Sequence, residues 1–262
     1  MPKRISLKGR LKNLRIQKPA YLNIGHMLPA FVTLCSAACG MTAILWAIRG
    51  SFPAATMLVI IAALLDTMDG RLARRFGTSS QFGVELDSLA DSISFGIAPA
   101  FIMFFWIGSP SGPAWAISII FAMAVVLRLA RFNAATSDSR IPEYWKDFFT
   151  GVPAPAGGML ALLPIALYNV SGNAVFQNPL VGLSTMSVVS LLLISRIPTL
   201  SLKKIHITNE WSAVVLMTLF IATLCMILFF WQTYAVVWVG YLLTIPFSTI
   251  SFLKKRAATK EK

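Results

Sequence analysis

Apolar stretches long enough to cross a bilayer recur along this chain, near residues 27–48, 52–74, 84–107, 114–133, 153–170, 178–195, 211–231 and 233–252, and no other feature constrains its fold so tightly. A spanning helix needs roughly 17 to 25 predominantly apolar residues, and each run meets or approaches that length. The expected fold is all-α: a polytopic membrane protein with about eight transmembrane helices. Composition agrees, since 56% of the 262 residues are hydrophobic and 13% charged, against about 25% charged in soluble domains.

The net charge of +13 sits beside the apolar runs, where anionic lipid headgroups attract it. Nucleic acid is therefore not expected as a partner. With a cytoplasmic N-terminus, eight spans leave residues 75–83, 134–152, 196–210 and 253–262 inside, and each of these carries Lys or Arg. The outer connections, 49–51, 108–113, 171–177 and around 232, hold only Arg49. This asymmetry follows the positive-inside rule and places both termini in the cytoplasm.

Residues 1–25 contain Lys3, Arg4, Lys8, Arg10, Lys12, Arg15 and Lys18 without an acid, and Leu7, Leu11 and Leu14 recur at helical spacing. An amphipathic interfacial helix is expected there. The rival reading is the start of a signal peptide, but the next run is too long and lacks an A-x-A pattern, so no cleavage is expected. The expected organisation is a basic juxtamembrane segment at 1–25, one transmembrane domain at 26–252 and a basic cytoplasmic tail at 253–262. Cys35, Cys39 and Cys225 all fall within spans, which argues against a disulfide framework.

Two of the apolar runs carry aspartates: Asp66 and Asp69 in the second, Asp87 and Asp91 in the third. An aspartate at a helix centre costs about 2.5 to 3.5 kcal/mol on insertion scales. At 100° per residue the first pair lies about 60° apart and the second about 40°, so each shows one face. Two such faces would bring four carboxylates together, and these stay ionised in a low dielectric only with cations between them. An all-oxygen ligand set without His or Cys favours a hard ion such as Mg²⁺ or Mn²⁺, and a pair of such ions suits a diphosphate and its leaving group. Gly70 and Ala73 leave room beside the acids, Arg74 offers a guanidinium with phosphate geometry, and Gly83 permits close backbone approach.

The run D-x2-D-G-x2-A-R-x8-G-x3-D-x3-D is met by Asp66, Asp69, Gly70, Ala73, Arg74, Gly83, Asp87 and Asp91, and it resembles the signature of the CDP-alcohol phosphotransferases. A chance match of eight fixed positions in a chain of this length is on the order of 10⁻⁷. The resemblance implies transfer of a phosphatidyl group, or of a headgroup, from a CDP-linked donor with release of CMP. It implies that Asp66, Asp69 and Asp87 bind metal, that Asp91 contacts metal and acts as general base, and that Gly70, Ala73, Arg74 and Gly83 line the CDP-diacylglycerol side. It also implies a homodimer. A proton or cation relay in a transporter is the rival for intramembrane acids. A scaffold that has lost activity is a third reading, opposed by the intact signature. Glu85, beside the signature, reads as an interfacial side chain.

For the acceptor alcohol, the informative stretch is "RLARFN", residues 128–133. Arg128 and Arg131 lie a turn apart at the cytoplasmic end of the fourth span. Either they snorkel to lipid phosphates, or one pairs with a carboxylate on the acceptor. Together with "FGVELDSLADSISFGIAPA" and "FFTGVPAPAGG", this stretch resembles the phosphatidylserine synthase branch of the family. The resemblance implies L-serine as acceptor, with Arg128, Arg131 and Phe132 in its recognition. Glycerol 3-phosphate, an inositol phosphate or choline are the alternatives. Pro153 and Pro155 either shape the site floor or only start a helix. "PAFVT", residues 29–33, departs from the family's Pro-Asn-x-x-Thr by carrying Ala30, which puts a polar contact from the first helix in doubt. The expected location is the inner (cytoplasmic) membrane, with the active site facing the cytoplasm.

Overall fold

The computed structural model describes residues 24–77, 81–108, 111–136, 148–195, 198–200 and 212–260, and these are almost entirely helical. The basic amphipathic segment expected at 1–25 lies almost wholly outside them. α1 (Ile24–Ile48) and α2 (Phe52–Phe76) form a hairpin closed by a short turn at residues 49–51. They pack along each other through small residues, with Ala43, Ala47, Ala55 and Ala62 fully or almost fully buried. Small side chains let two membrane helices approach closely and give polar groups a partner, and here Ser36 Oγ donates to the Ala62 carbonyl at 2.9 Å. Gly77, with φ +61°, closes α2 by returning its N–H to the carbonyls of Ala73 and Arg74, a conformation that glycine adopts without strain.

The third apolar run is one long helical rod in three parts: α3 (Gln81–Asp91), a π-helical segment (Ser92–Ile97) and α4 (Ala98–Ile107). The wider π turn, in which the Ala98 N–H reaches back to the Ile93 carbonyl, is clasped from three sides. A Cβ on Gly40 of α1 would stand 2.8 Å from Ser94 Cα, and one on Gly158 would stand 3.1 Å from both Cα and the carbonyl oxygen of Phe95. Gly96 itself meets Val125 of the next helix. Ser94 Oγ donates to the Ser36 carbonyl at 3.1 Å, tying the same segment to α1.

α5 (Gly112–Thr136) carries the RLARFN stretch at its end, and α6 (Ala154–Ala161) with α7 (Leu163–Ser171) form a rod bent by 42°. Pro164 explains the bend: it has no N–H to give to Leu160 and clashes with a straight continuation. The carbonyl of Met159, at the break, accepts the Tyr234 hydroxyl at 2.7 Å. Pro153 and Pro155 lie at the N-cap and first turn of α6, so of their two sequence readings the helix start is the one observed. α8 (Pro179–Ile194), α9 (Ser212–Leu228) and α10 (Phe230–Lys260) complete the helices, and α10 continues well into the expected basic tail. A feature absent from the all-α expectation is a two-stranded antiparallel ribbon, β1 (Phe148–Thr150) with β2 (Pro198–Leu200), pairing Phe149 with Thr199.

Among the described residues, four helical rods are long and apolar enough to cross a membrane, at Met27–Ile48, Phe52–Phe76, Gln81–Ile107 and Gly112–Ala134, and the bent α6–α7 pair makes up to five. Large apolar side chains face outward all round, among them Leu180, Leu216, Ile227, Val236 and Phe247. That is a surface made for lipid rather than water. The three cysteines are free.

Candidate active site

Asp66 and Asp69 on α2 face Asp87 and Asp91 on α3, as their spacing requires. One carboxylate oxygen from each of Asp66, Asp69 and Asp87 can be chosen so that all three lie within 4.8 Å of one another. Asp66 is the hub: its carboxyl comes within hydrogen-bonding reach of both Asp87 and Asp91. Asp69 is buried, and the other three are half-buried. At 1.5 Å per residue, Asp66 stands about 15 Å from the end of α2 and Asp87 about 9 Å from the start of α3. The acids thus lie a few turns inside the rods, at the end where Arg71, Arg74 and Arg75 gather.

This donor set fits a hard divalent cation. Three converging carboxylates supply anionic oxygen only, and such groups require compensating positive charge when desolvated.

The first helix contributes directly. Thr33 Oγ donates to Asp69 Oδ2 at 2.6 Å and also contacts the Pro29 carbonyl at 3.0 Å. A polar contact from the first helix is therefore made by the Thr of that pattern, while Ala30 has no polar side-chain group to replace that of the family's Asn. Thr33 was absent from the sequence-derived site, although its place in "PAFVT" was the available signal.

Of the residues expected on the donor-lipid side, Gly70, Ala73 and Arg74 fall along one flank of α2, and Gly83 lies in the first turn of α3. A Cβ on Gly70 would meet no atom within 4 Å, so space beside the acids exists. Ala73 and Gly83 are half-buried, and Arg74 is exposed. Glu85 is exposed too, as an interfacial side chain would be.

At the end of α5, Arg128 is buried, and its guanidinium sits 5.6 Å above the Phe132 ring. It interacts electrostatically with Asp91 of α3 and Tyr241 of α10. Arg131 turns elsewhere and donates from Nη2 to the Leu193 carbonyl at 3.1 Å. Asn133 Nδ2 donates to Ser88 Oγ at 2.8 Å, joining α5 to α3 between the two aspartates; neither of these residues was singled out from sequence.

A bundle of membrane-length helices with an oxygen-only acidic centre near one end has the make-up of an intramembrane site that could hold a divalent ion. Residues 26–189 match the CDP-alcohol phosphatidyltransferase family, and the chain belongs to that family. It is 36% identical over 226 residues to the CDP-diacylglycerol–serine O-phosphatidyltransferase of Mycobacterium leprae, covering 85% of this chain and 74% of that protein. The enzyme of the same description from Helicobacter pylori (strain 26695) is 35% identical over 185 residues, 70% of this chain and 76% of that protein. The archaetidylserine synthase of Methanothermobacter thermautotrophicus is 34% identical over 178 residues, 65% and 68% of the two chains.

Proposed function

We propose that this chain is a phosphatidyltransferase that moves the phosphatidyl group of CDP-diacylglycerol to the hydroxyl of L-serine and releases CMP. The observation that carries this reading is the meeting of the four signature aspartates on α2 and α3 in a chain whose relatives are named for that reaction.

Asp66, Asp69 and Asp87, with Asp91 contributing, would hold two divalent ions, Mg²⁺ or Mn²⁺, and the chemistry such ions would supply is neutralisation of phosphate charge. Gly70, Ala73 and Gly83 leave room for the donor's nucleotide and diphosphate, and Arg74 pairs with phosphate oxygens. Asp91 takes the proton from the acceptor hydroxyl as its oxygen attacks the phosphorus that bears the lipid. A P–O bond forms to serine, the P–O bond to CMP breaks, and the displacement is single. Arg128, Arg131 and Phe132 form the acceptor side, and the proximity of Arg128 to Asp91 supports this.

Eight spans with both termini and the active site on the cytoplasmic side of the inner membrane fit the Lys and Arg distribution. The basic segment at 1–25 and the tail at 253–262 then rest on anionic lipids, flanking the 26–252 domain. The functional unit is a homodimer, as the family resemblance implies.

The test is direct. Membranes containing the protein receive CDP-diacylglycerol, Mn²⁺ and, in turn, labelled serine, glycerol 3-phosphate, inositol phosphate and choline. Serine enters lipid with CMP release; incorporation of another alcohol in its place overturns the acceptor, and absence of CMP with every acceptor overturns the reaction.

A further inference from the structure

We infer that α1 is a spacer between the two acid-bearing helices: through Ser36, Gly40 and Ser94 it sets the distance between α2 and α3, and with it the size of the divalent ion that the acidic centre prefers. The inference rests on the reading of that centre as a metal site and names positioning residues, none of them a ligand, that tune it.

The acids need such a part because the helices that carry them scarcely touch. Among the described residues α1 packs along α2, along α3 and along the π segment, whereas α2 and α3 make little direct contact with each other. Carboxylates facing across that space repel one another when charged, so something other than the acids has to hold the span. In lipid there is no hydrophobic drive to do it, and close packing and hydrogen bonds between helices remain.

Ser36 lies where both are supplied. Its hydroxyl donates to the Ala62 carbonyl of α2 at 2.9 Å, and its carbonyl accepts the Ser94 hydroxyl of the π segment at 3.1 Å. One residue of α1 is thus tied to both rods, and with Ser36 2% and Ser94 0% exposed, water does not compete for these bonds. The crosspiece lies one turn deeper in the bundle than the acids. Ala62 precedes Asp66 by four residues, about 6 Å along α2, and Ser94 follows Asp91 by three, about 4 to 5 Å along the third rod. On the next turn of α1, Gly40 admits the π segment to backbone contact: a Cβ there would stand 2.8 Å from Ser94 Cα and 3.0 Å from its Oγ.

The magnitudes decide what this spacing controls. A methyl at Gly40 falls about 0.7 to 1.2 Å short of a relaxed carbon–carbon contact, and because Ser94 Cα is backbone, the rod itself has to move. Mg²⁺ takes oxygen at about 2.0 to 2.1 Å and Ca²⁺ at about 2.3 to 2.6 Å, a difference of about 0.2 to 0.6 Å. A displacement that reaches the acids at half its size therefore covers the step from a small ion to a large one. Mg²⁺ also demands near-ideal geometry whereas Ca²⁺ tolerates a flexible ligand set, so loosening the spacer penalises the small ion in the same way as widening it.

The experiment uses the full-length protein in detergent micelles without substrates. Mn²⁺ binding is read from the loss of the free-ion electron paramagnetic resonance signal, and Mg²⁺ and Ca²⁺ are then titrated in to displace it. For Gly40→Ala the ratio of the Ca²⁺ to the Mg²⁺ displacement midpoint falls about 10-fold, the scale on which groups behind the ligands alter metal affinity. Ser36→Ala and Ser94→Ala, which remove a tie and introduce no clash, move the ratio in the same direction. Gly182→Ala crowds the Ile107 side chain at the end of the rod far from the acids; it lowers the melting temperature and leaves the ratio unchanged, which separates lost spacing from lost stability. An unchanged ratio in the Ser36 and Ser94 variants, or an equal shift in Gly182→Ala, overturns this inference alone, even where Gly40→Ala fails to purify folded. A wild-type protein that binds no Mn²⁺, or binds it as tightly after Asp66→Asn, overturns it together with the metal reading.

Discussion

Replacing Thr33 by valine removes one hydroxyl and keeps the side chain's shape, so it isolates the contact with Asp69. Both residues are 4% exposed, and water cannot readily substitute for the lost donor. At 2.6 Å the bond has the length of a charge-assisted O–H···O⁻ interaction, whose loss costs about 1.5 to 3 kcal/mol. Part of that cost falls on the metal-free protein, where the Asp69 carboxylate loses the hydroxyl that α1 supplies. The remainder falls on ligand geometry, because a donor beside a metal-binding carboxylate fixes which oxygen faces the ion. Loss of such partners lowers metal affinity or activity by about 10- to 100-fold. The expected outcome for Thr33→Val is a 10- to 100-fold rise in the Mn²⁺ concentration that gives half-maximal CMP release. At saturating Mn²⁺ the variant recovers most of its turnover. Thr33→Ser, which keeps the hydroxyl, stays within a few-fold of the parent. The assay is a Mn²⁺ titration of metal-stripped protein at fixed CDP-diacylglycerol and serine. An unchanged midpoint for Thr33→Val would refute the reasoning, since the hydroxyl would then be serving Pro29 and its own helix only.

Other outcomes follow from the same geometry. Asp91→Asn lowers turnover by about 10²- to 10⁴-fold, the usual scale for a general base, while equilibrium binding of CDP-diacylglycerol persists; retained turnover removes Asp91 from that role. Chelation with EDTA abolishes CMP release, and Mg²⁺ or Mn²⁺ restores it; full activity in the chelated protein contradicts the acidic centre as a metal site. Gly70→Ala keeps or slightly raises the melting temperature, because an added Cβ meets no atom within 4 Å and alanine is the better helix former by about 0.8 to 1 kcal/mol. The same variant raises the KM for CDP-diacylglycerol, and an unchanged KM shows that the space is not used by the donor. Gly158→Ala pushes a methyl against the Phe95 backbone at 3.1 Å and lowers stability by about 1 to 3 kcal/mol, read as a lower melting temperature in detergent.

The acidic centre was legible in the sequence because it depends on two periodicities only. Asp66 and Asp69 are three apart and Asp87 and Asp91 four apart, so any pair of helices facing each other through those sides must join the carboxylates. The hydrophobic runs were equally readable, and each has a helix near its place. What sequence could not show is where a helix departs from its own regularity. The run from Gln81 to Ile107 gives no local sign of its π turn, which is packed against Gly40 and Gly158, residues far away in the chain. The bend at Pro164 had a local cause in that proline itself, whereas Pro153 and Pro155 mark the start of the same rod. The division between Arg128 and Arg131 was hidden for a similar reason: both are arginines at a helix end, and only the arrival of Leu193 from α8 distinguishes them.

The π segment also sets a limit on what this helix can tolerate genetically. A π turn holds one residue more than the α turn it replaces, so deleting a single residue between Ser92 and Ile97 would leave a continuous rod, still apolar and still long enough to insert. Because the wider turn alone absorbs the surplus residue, such a deletion heals into regular α-helix with Asp87 and Asp91 keeping their bearing, whereas a deletion within Ala98–Ile107 would rotate the two sides by about 100° relative to each other. With that stretch anchored in the core through Ile102 and Met103, the side that turns would be the one bearing Asp87 and Asp91. Single-residue deletions along this rod are therefore expected to differ sharply in outcome, tolerated in the wide turn and silencing just beyond it.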